Sequence, residues 1–230
     1  MLDCDIELKD DLINHLLKYK LRSKVEFKDL SSSHVIGVIS EKKFVEIQSE
    51  TNSKEKTIIY RDSPCFLDSR NTLLGARILS SLEKLHLTIK KLNLKIIEKS
   101  NYLRLAHALG IPAQGVKKLQ NNLFGLESNF EELNGVDFKK GCYVGQENTA
   151  RMKLKNKLRR RLLPIVSVTT LKVSDEIKFN ESVIGKVLID GECPFALIKL
   201  FDPEFKEFSK KKLKVNELDV QILAPSKFNI

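Results

Sequence analysis

Past Arg161 the chain breaks into short runs rich in β-forming residues, at 162–168, 176–179, 182–188, 195–199 and 220–223. Turn residues at Asn180 and Glu181, Asp190 and Gly191, and Asp202 and Pro203 separate several of them. Strands this short cannot each bury a face alone. At this spacing they suit a small closed barrel. The change of texture sets a boundary near Leu158 and divides the chain into residues 1–157 and 158–230.

The first part has a different grammar. Over residues 5–19, Leu8, Leu12 and Leu16 recur every four positions with Ile13 and Leu17 on the adjoining row, which predicts an amphipathic helix. Residues 24–27 and 35–39 have strand character and are parted by Ser31, Ser32 and Ser33. A further apolar run follows at 44–47, and residues 49–56 form a polar loop. Residues 57–60 and 75–79 read as strands. One helix with several short strands suits an open-faced α/β sandwich, so the chain as a whole is of the α+β class.

Residues 103–109 form a short helix stopped by Gly110, with Pro112 two positions on. Residues 111–141 are rich in Gly and Asn and lack periodicity. An ordered loop of that length is usually functional. Helical character returns over 143–155, where Glu147, Arg151 and Lys155 stand four apart with the acid first, the favourable order for pairing. Asn156 suits the residue that ends this helix in a left-handed conformation.

The richest chemistry lies in residues 139–157, KKGCYVGQENTARMKLKNK. Cys142 stands just ahead of the expected helix, with Lys139 and Lys140 beside it. A helix N-terminus and neighbouring cations both favour the thiolate, the form that attacks electrophiles and binds metals. A lone cysteine is otherwise a small buried hydrophobe. Cys4, Cys65 and Cys193 are distant and form no C-x-x-C, which argues against a zinc site or disulfide framework and for a reducing compartment. The histidines are scattered without ligand spacing; His107 alone lies near the candidate site.

Lys140, Gly141, Cys142, Tyr143, Val144, Gly145, Gln146 and Glu147 spell K-G-C-Y-x-G-Q-E. Upstream lie Gly135-Val136-Asp137-Phe138, Leu126-Glu127-Ser128-Asn129, Gly110-Ile111-Pro112, and Asp68, Arg70, Leu74, Gly75 and Arg77 as D-x-R-x-x-x-L-G-x-R. Downstream lie Ala150-Arg151-Met152 and Arg159-Arg160-Arg161-Leu162 with Pro164. In this order the pieces resemble the YgfZ family of folate-binding proteins, which includes mitochondrial iron–sulfur assembly factors and is related to the glycine-cleavage T protein, an aminomethyltransferase. The resemblance implies a T-protein-like fold ending in a β-barrel, tetrahydrofolate as cofactor, and a non-enzymatic role in assembling or repairing iron–sulfur clusters. It implies Cys142 as the working thiol and transient iron or cluster ligand. Glu127, Asn129, Lys140, Gly141, Tyr143, Gly145, Gln146, Glu147 and Arg151 are the implied folate-site residues. A carboxylate such as Glu127 is matched to the paired N–H donors of a pterin. One cysteine cannot supply the four ligands a cluster usually takes, so a partner must complete any site.

Two departures stand out. Ala106 occupies a position where the family usually has arginine. Met1 falls where the family is already mid-domain, so the chain is expected to be N-terminally incomplete. An aminomethyltransferase-like folate enzyme is the first alternative, and the cysteine-centred motif argues against it.

The net charge of +10 raises a second alternative, RNA binding or tRNA modification. Lysine is abundant throughout the chain. The one dense basic cluster is Arg151, Lys153, Lys155, Lys157, Arg159, Arg160 and Arg161, and it lacks aromatics for base stacking. The acidic N-terminus has no signal-peptide core, and no apolar run approaches the ~20 residues of a membrane span. These features predict a cytoplasmic protein.

Overall fold

The computed structural model describes residues 1–51, 55–155 and 158–228. The chain divides into two compact units, Met1–Glu98 and Lys99–Ile230. The boundary anticipated at 157/158 lies inside the second unit, next to the first barrel strand.

The first unit opens with a 3-10 turn, Ile6–Leu8, running into helix α1 (Lys9–Lys20). Leu8, Leu12 and Leu16 are half-buried as the four-residue spacing predicts, and Leu17 is exposed. Four antiparallel strands follow: β1 (Val35–Ile39), β2 (Thr57–Tyr60), β3 (Ser63–Leu67) and β4 (Ala76–Ser80), in the spatial order β1-β4-β3-β2. Helix α2 (Glu41–Glu50) lies between β1 and β2, and helix α3 (Leu82–Lys91) follows β4. Each begins at a serine cap, Ser40 and Ser81, whose hydroxyl accepts a backbone N–H of the first turn. The strand expected at residues 24–27 does not form, because four residues flanked by charge have no neighbour to complete a ladder. The apolar run at 44–47 is helical, because Ser40 caps it and Phe44 and Ile47 then share one buried face. Phe44 and Ile47 join Ile39, Ile58, Tyr60, Cys65, Ala76 and Ile78 in the core of this unit.

The D-x-R-x-x-x-L-G-x-R segment is the joint of this sheet. Gly75 has φ +83°, and a Cβ there would sit 2.0 Å from the Ile39 carbonyl oxygen. Only glycine lets β4 pass so close to β1. Asp68 is buried, and Arg70 grips its carboxylate through Nε at 3.0 Å and Nη2 at 2.7 Å. Arg77 reaches the same carboxylate at 3.2 Å and also pairs with Asp3. Burial alone would raise the Asp68 pKa. The hydrogen bonds and charge of Arg70, with the charge of Arg77, outweigh it and hold the carboxyl below its ordinary range.

The second unit begins with α4 (Lys99–Ala108), ended by Gly110 as predicted. After the long segment comes α5 (Glu147–Leu154), then six strands: β5 (Arg160–Ser167), β6 (Glu176–Phe179), β7 (Ser182–Ile189), β8 (Phe195–Lys199), β9 (Leu213–Val215) and β10 (Leu218–Ile222). They close in the order β10-β5-β8-β7-β6-β9. The expected barrel is present. Strand β9 and the one-turn helix α6 (Phe205–Phe208) are additions that the sequence pattern did not signal. The barrel buries Leu163, Ile165, Ile177, Ile184, Val187, Ile198, Val215 and Val220 almost completely. Each contributes about 1.5–3 kcal/mol, which makes this the firmest part of the unit.

Gly75→Ala is expected to cost at least about 2 kcal/mol of stability, because its side chain meets backbone at a positive φ. A urea titration of the variant measures it. The depressed native pKa of Asp68 stabilises the fold above the unfolded pKa of about 4. That stability is lost as pH falls through the lower native value. Asp68→Asn should therefore flatten the acid limb of the stability–pH curve between pH 5 and 2 and lower stability at neutral pH.

Candidate functional site

The long segment between α4 and α5 is tied to the barrel by its own motif. Strand β5 pairs with β8 over residues 160–164 and with β10 over residues 165–167. On the side where β10 stops, the Leu162 N–H donates to the Glu127 carbonyl at 2.7 Å, and Asn129 Nδ2 donates to the Leu162 carbonyl at 2.8 Å. The L-E-x-N run thus completes the ladder of β5 for one residue. Asn129 holds φ +64° to do so and is fully buried. Glu127 adds an ion pair to Arg160, 2.9 Å to Nε, and accepts the Phe124 N–H at 3.0 Å. Glu132 pairs with buried Arg161 at 2.6 Å. Leu119 and Leu123 pack on Leu162, Leu188, Ile189, Phe195 and Leu197.

Two expected folate contacts therefore have structural partners. Glu127 is buried with both carboxylate oxygens engaged, so it presents no open acceptor to a pterin as it stands. Asn129 donates through Nδ2 to the strand, while its buried Oδ1 has no hydrogen-bond partner among the described residues. His107 is also structural. Its Nε2 donates to the Pro194 carbonyl at 2.9 Å, its ring stands edge-on to Phe195, and burial lowers its pKa. Ala106 is fully buried, so an arginine there would displace its neighbours.

Cys142 stands on a different footing. It is exposed, in an irregular stretch between Phe138 and α5. The expectation that it caps a helix is corrected: α5 begins at Glu147, five residues on, with Gln146 as its N-cap. The intervening residues close a turn instead. The Tyr143 N–H donates to Gln146 Oε1 at 3.0 Å, and the Gln146 N–H donates to the Tyr143 carbonyl at 3.3 Å. Gly145 turns at φ +87°, and Lys140 Nζ lies 5.1 Å from the centre of the Tyr143 ring. Tyr143, Gly145, Gln146, Lys140 and Gly141 are thus brought together around Cys142. Glu147 and Arg151 lie on α5, and among the described residues no ion pair joins them. Asn156, the expected helix-ending residue, lies outside the described residues.

The loop is bracketed by Lys153, which pairs with Glu131 and lies 5.1 Å from the centre of the Phe138 ring. Helix α5 itself buries no residue. Eight residues are marginal as an isolated helix, and residues 139–145 around the thiol are exposed. Of the remaining thiols Cys65 and Cys193 are buried and Cys4 is exposed. Burial pushes Cys65 up to about 12, burial and then Glu192 raise Cys193, and burial and then the charges of Asp3 and Asp5 raise Cys4.

The basic cluster is less free than the sequence suggests. Lys153 pairs with Glu131, Arg160 with Glu127 and Arg161 with Glu132. The signal for this was present as the acids of residues 127–132, an opposing set placed upstream. Lys157 lies outside the described residues.

No family model matches the chain. It is 33% identical over 200 residues to the mitochondrial iron–sulfur cluster assembly factor IBA57 homolog of Dictyostelium discoideum, covering 84% of this chain and 46% of that protein. It is 32% identical over 166 residues to the mitochondrial iron–sulfur cluster assembly factor IBA57 of Mus musculus, covering 72% and 44%. The human counterpart is 29% identical over 177 residues, covering 76% and 47%. The chain spans less than half the length of these curated relatives. Aminomethyltransferase T of the glycine cleavage system from Bartonella henselae superposes with a TM-score of 0.55 at 8% identity, covering 96% of this chain and 66% of that one. The fold is therefore that of the glycine-cleavage T protein. The expected cytoplasmic location is overturned, because these relatives are mitochondrial proteins. Among the described residues no helix is long and apolar enough to cross a membrane.

Asn129→Ala should cost about 1–3 kcal/mol by stranding the Leu162 carbonyl. Asn129→Gly keeps the positive φ, so the difference between their thermal melts isolates the backbone part of the loss.

Proposed function

We propose that this chain acts in iron–sulfur cluster assembly by presenting Cys142 on an exposed loop to iron, sulfur or a cluster carried by another protein. The observation that carries this reading is the contrast among the thiols. Cys142 and Cys4 are exposed, whereas Cys65 and Cys193 are core residues. Of the two exposed thiols, Cys142 stands in a loop of small and polar residues beside Lys139 and Lys140, while burial and then Asp3 and Asp5 raise the pKa of Cys4. The similarity to IBA57 proteins, whose names give this role, supports it. On binding iron the thiol releases its proton to solvent and the sulfur donates to the metal. Among the described residues no group of three His, Cys, Asp or Glu is placed to hold a metal ion. A partner protein or small thiol therefore supplies the remaining ligands.

In this reading Gln146 and Tyr143 hold the turn, and Gly141 and Gly145 keep the space beside the thiol open, since an added Cβ at either meets nothing within 4 Å. The cluster is cargo rather than a resident group. Tetrahydrofolate belongs to the proposal through the family resemblance, and no step passes through it, because both Glu127 oxygens are engaged with Arg160 and the Phe124 N–H. Aminomethyltransferase chemistry gains nothing from a shared fold. The RNA reading loses the three cations that face Glu127, Glu131 and Glu132.

Cys142→Ser preserves size but removes the metal-binding sulfur. It should leave the melting temperature within error and abolish support of iron–sulfur enzymes in cells lacking their own factor. Cys4→Ser should retain support. Full support from the Cys142 variant would contradict the proposal.

A further inference from the structure

We infer that Lys153 is the positioning residue of the Cys142 loop, the side chain that sets where the thiol stands relative to the barrel. The inference rests on the role proposed above for Cys142. Lys153 lies in the last turn of α5. Its ammonium pairs with Glu131 and lies 5.1 Å from the centre of the Phe138 ring. Phe138 precedes Cys142 and α5 follows it, so one side chain meets both ends of the loop.

The acids of the tethered segment divide between two partners. Glu127 and Glu132 pair with Arg160 and Arg161 and fix the segment on β5. Glu131, between them in sequence, pairs instead with α5. Among the described residues no other ion pair leaves that helix. The helix also has no buried residue. Its position therefore depends on contacts such as these more than on a core.

Without Lys153 the chain from Glu132 to Arg161 is one long excursion between two fixed ends. With it, the loop closes at Phe138, and the shorter loop leaves the thiol fewer arrangements. The side chains of Lys153 and Glu131 are 41% and 42% exposed. Water and salt therefore weaken the pair, and the contact with the ring adds to it on the same ammonium. Lys153 acts on Cys142 through the loop and touches no reacting atom.

Hydrogen exchange of the full chain, read by mass spectrometry, tests this. Lys153→Met keeps a long apolar stem and removes the charge. Exchange over residues 143–155 should rise about three- to tenfold in this variant, with the barrel strands unchanged. Lys153→Arg, which keeps a cation for both Glu131 and Phe138, should restore protection. High salt should speed exchange in the native chain and leave Lys153→Met unmoved, which packing of the stem alone would not produce. Support of iron–sulfur enzymes in cells lacking their own factor should fall with Lys153→Met and return with Lys153→Arg. Exchange equal in the native chain and Lys153→Met overturns the inference, as does failure of Lys153→Arg to restore it. Full support from Lys153→Met where Cys142→Ser gives none also overturns it. Full support from Cys142→Ser strikes the thiol reading instead and leaves the exchange result to decide whether Lys153 holds the loop.

Discussion

The second unit depends on how β5 is completed where β10 leaves it. A strand with unpaired N–H and C=O groups under a packed segment loses about as much as the packing gains. Here the carbonyl of Glu127 and the amide of Asn129 satisfy both groups of Leu162. The ion pairs Glu127–Arg160 and Glu132–Arg161 then fix the same segment on the same strand. Everything between Leu133 and Arg160 is an excursion whose two ends are held by this joint. The thiol loop gains a defined position without a core of its own.

That arrangement separates stability from chemistry. The barrel and its tether carry the buried apolar residues. The loop around Cys142 carries a turn, a cation over a ring and a helix with no buried side chain. In the proposed role this division lets the loop adjust to a partner while its ends stay fixed. The first unit repeats the logic with other means. There half-buried Arg70 and Arg77 converge on buried Asp68, and Gly75 allows the close passage of two strands.

Periodicity made the barrel, α1, α4 and most strands of the sheet legible in the sequence, because each has a repeat of apolar residues or a clear stop signal. The apolar run at 44–47 fits either period, and the Ser40 cap makes it helical. The start of α5 was placed too early because residues 143–146 carry no helix signal beyond their continuity with 147–154, and Gly145 takes a left-handed turn. The polar surroundings of Cys142 anticipate its exposure. Its place at a helix N-terminus is not found, because Gly145 turns left-handed before α5 begins. Glu127 and Asn129 stood out as polar residues in a loop, but whether they face a ligand or a strand is set by tertiary pairing that no local pattern encodes.

The central claim is that Cys142 is an accessible working thiol on a folded scaffold. Site-resolved alkylation of the native chain, read by mass spectrometry after short exposure at neutral pH, tests it most directly. Cys142 should be labelled well ahead of the other cysteines while the protein remains folded, and Cys65 and Cys193 only as the chain unfolds. Labelling of Cys142 that keeps pace with Cys65 and appears only on unfolding would contradict the account.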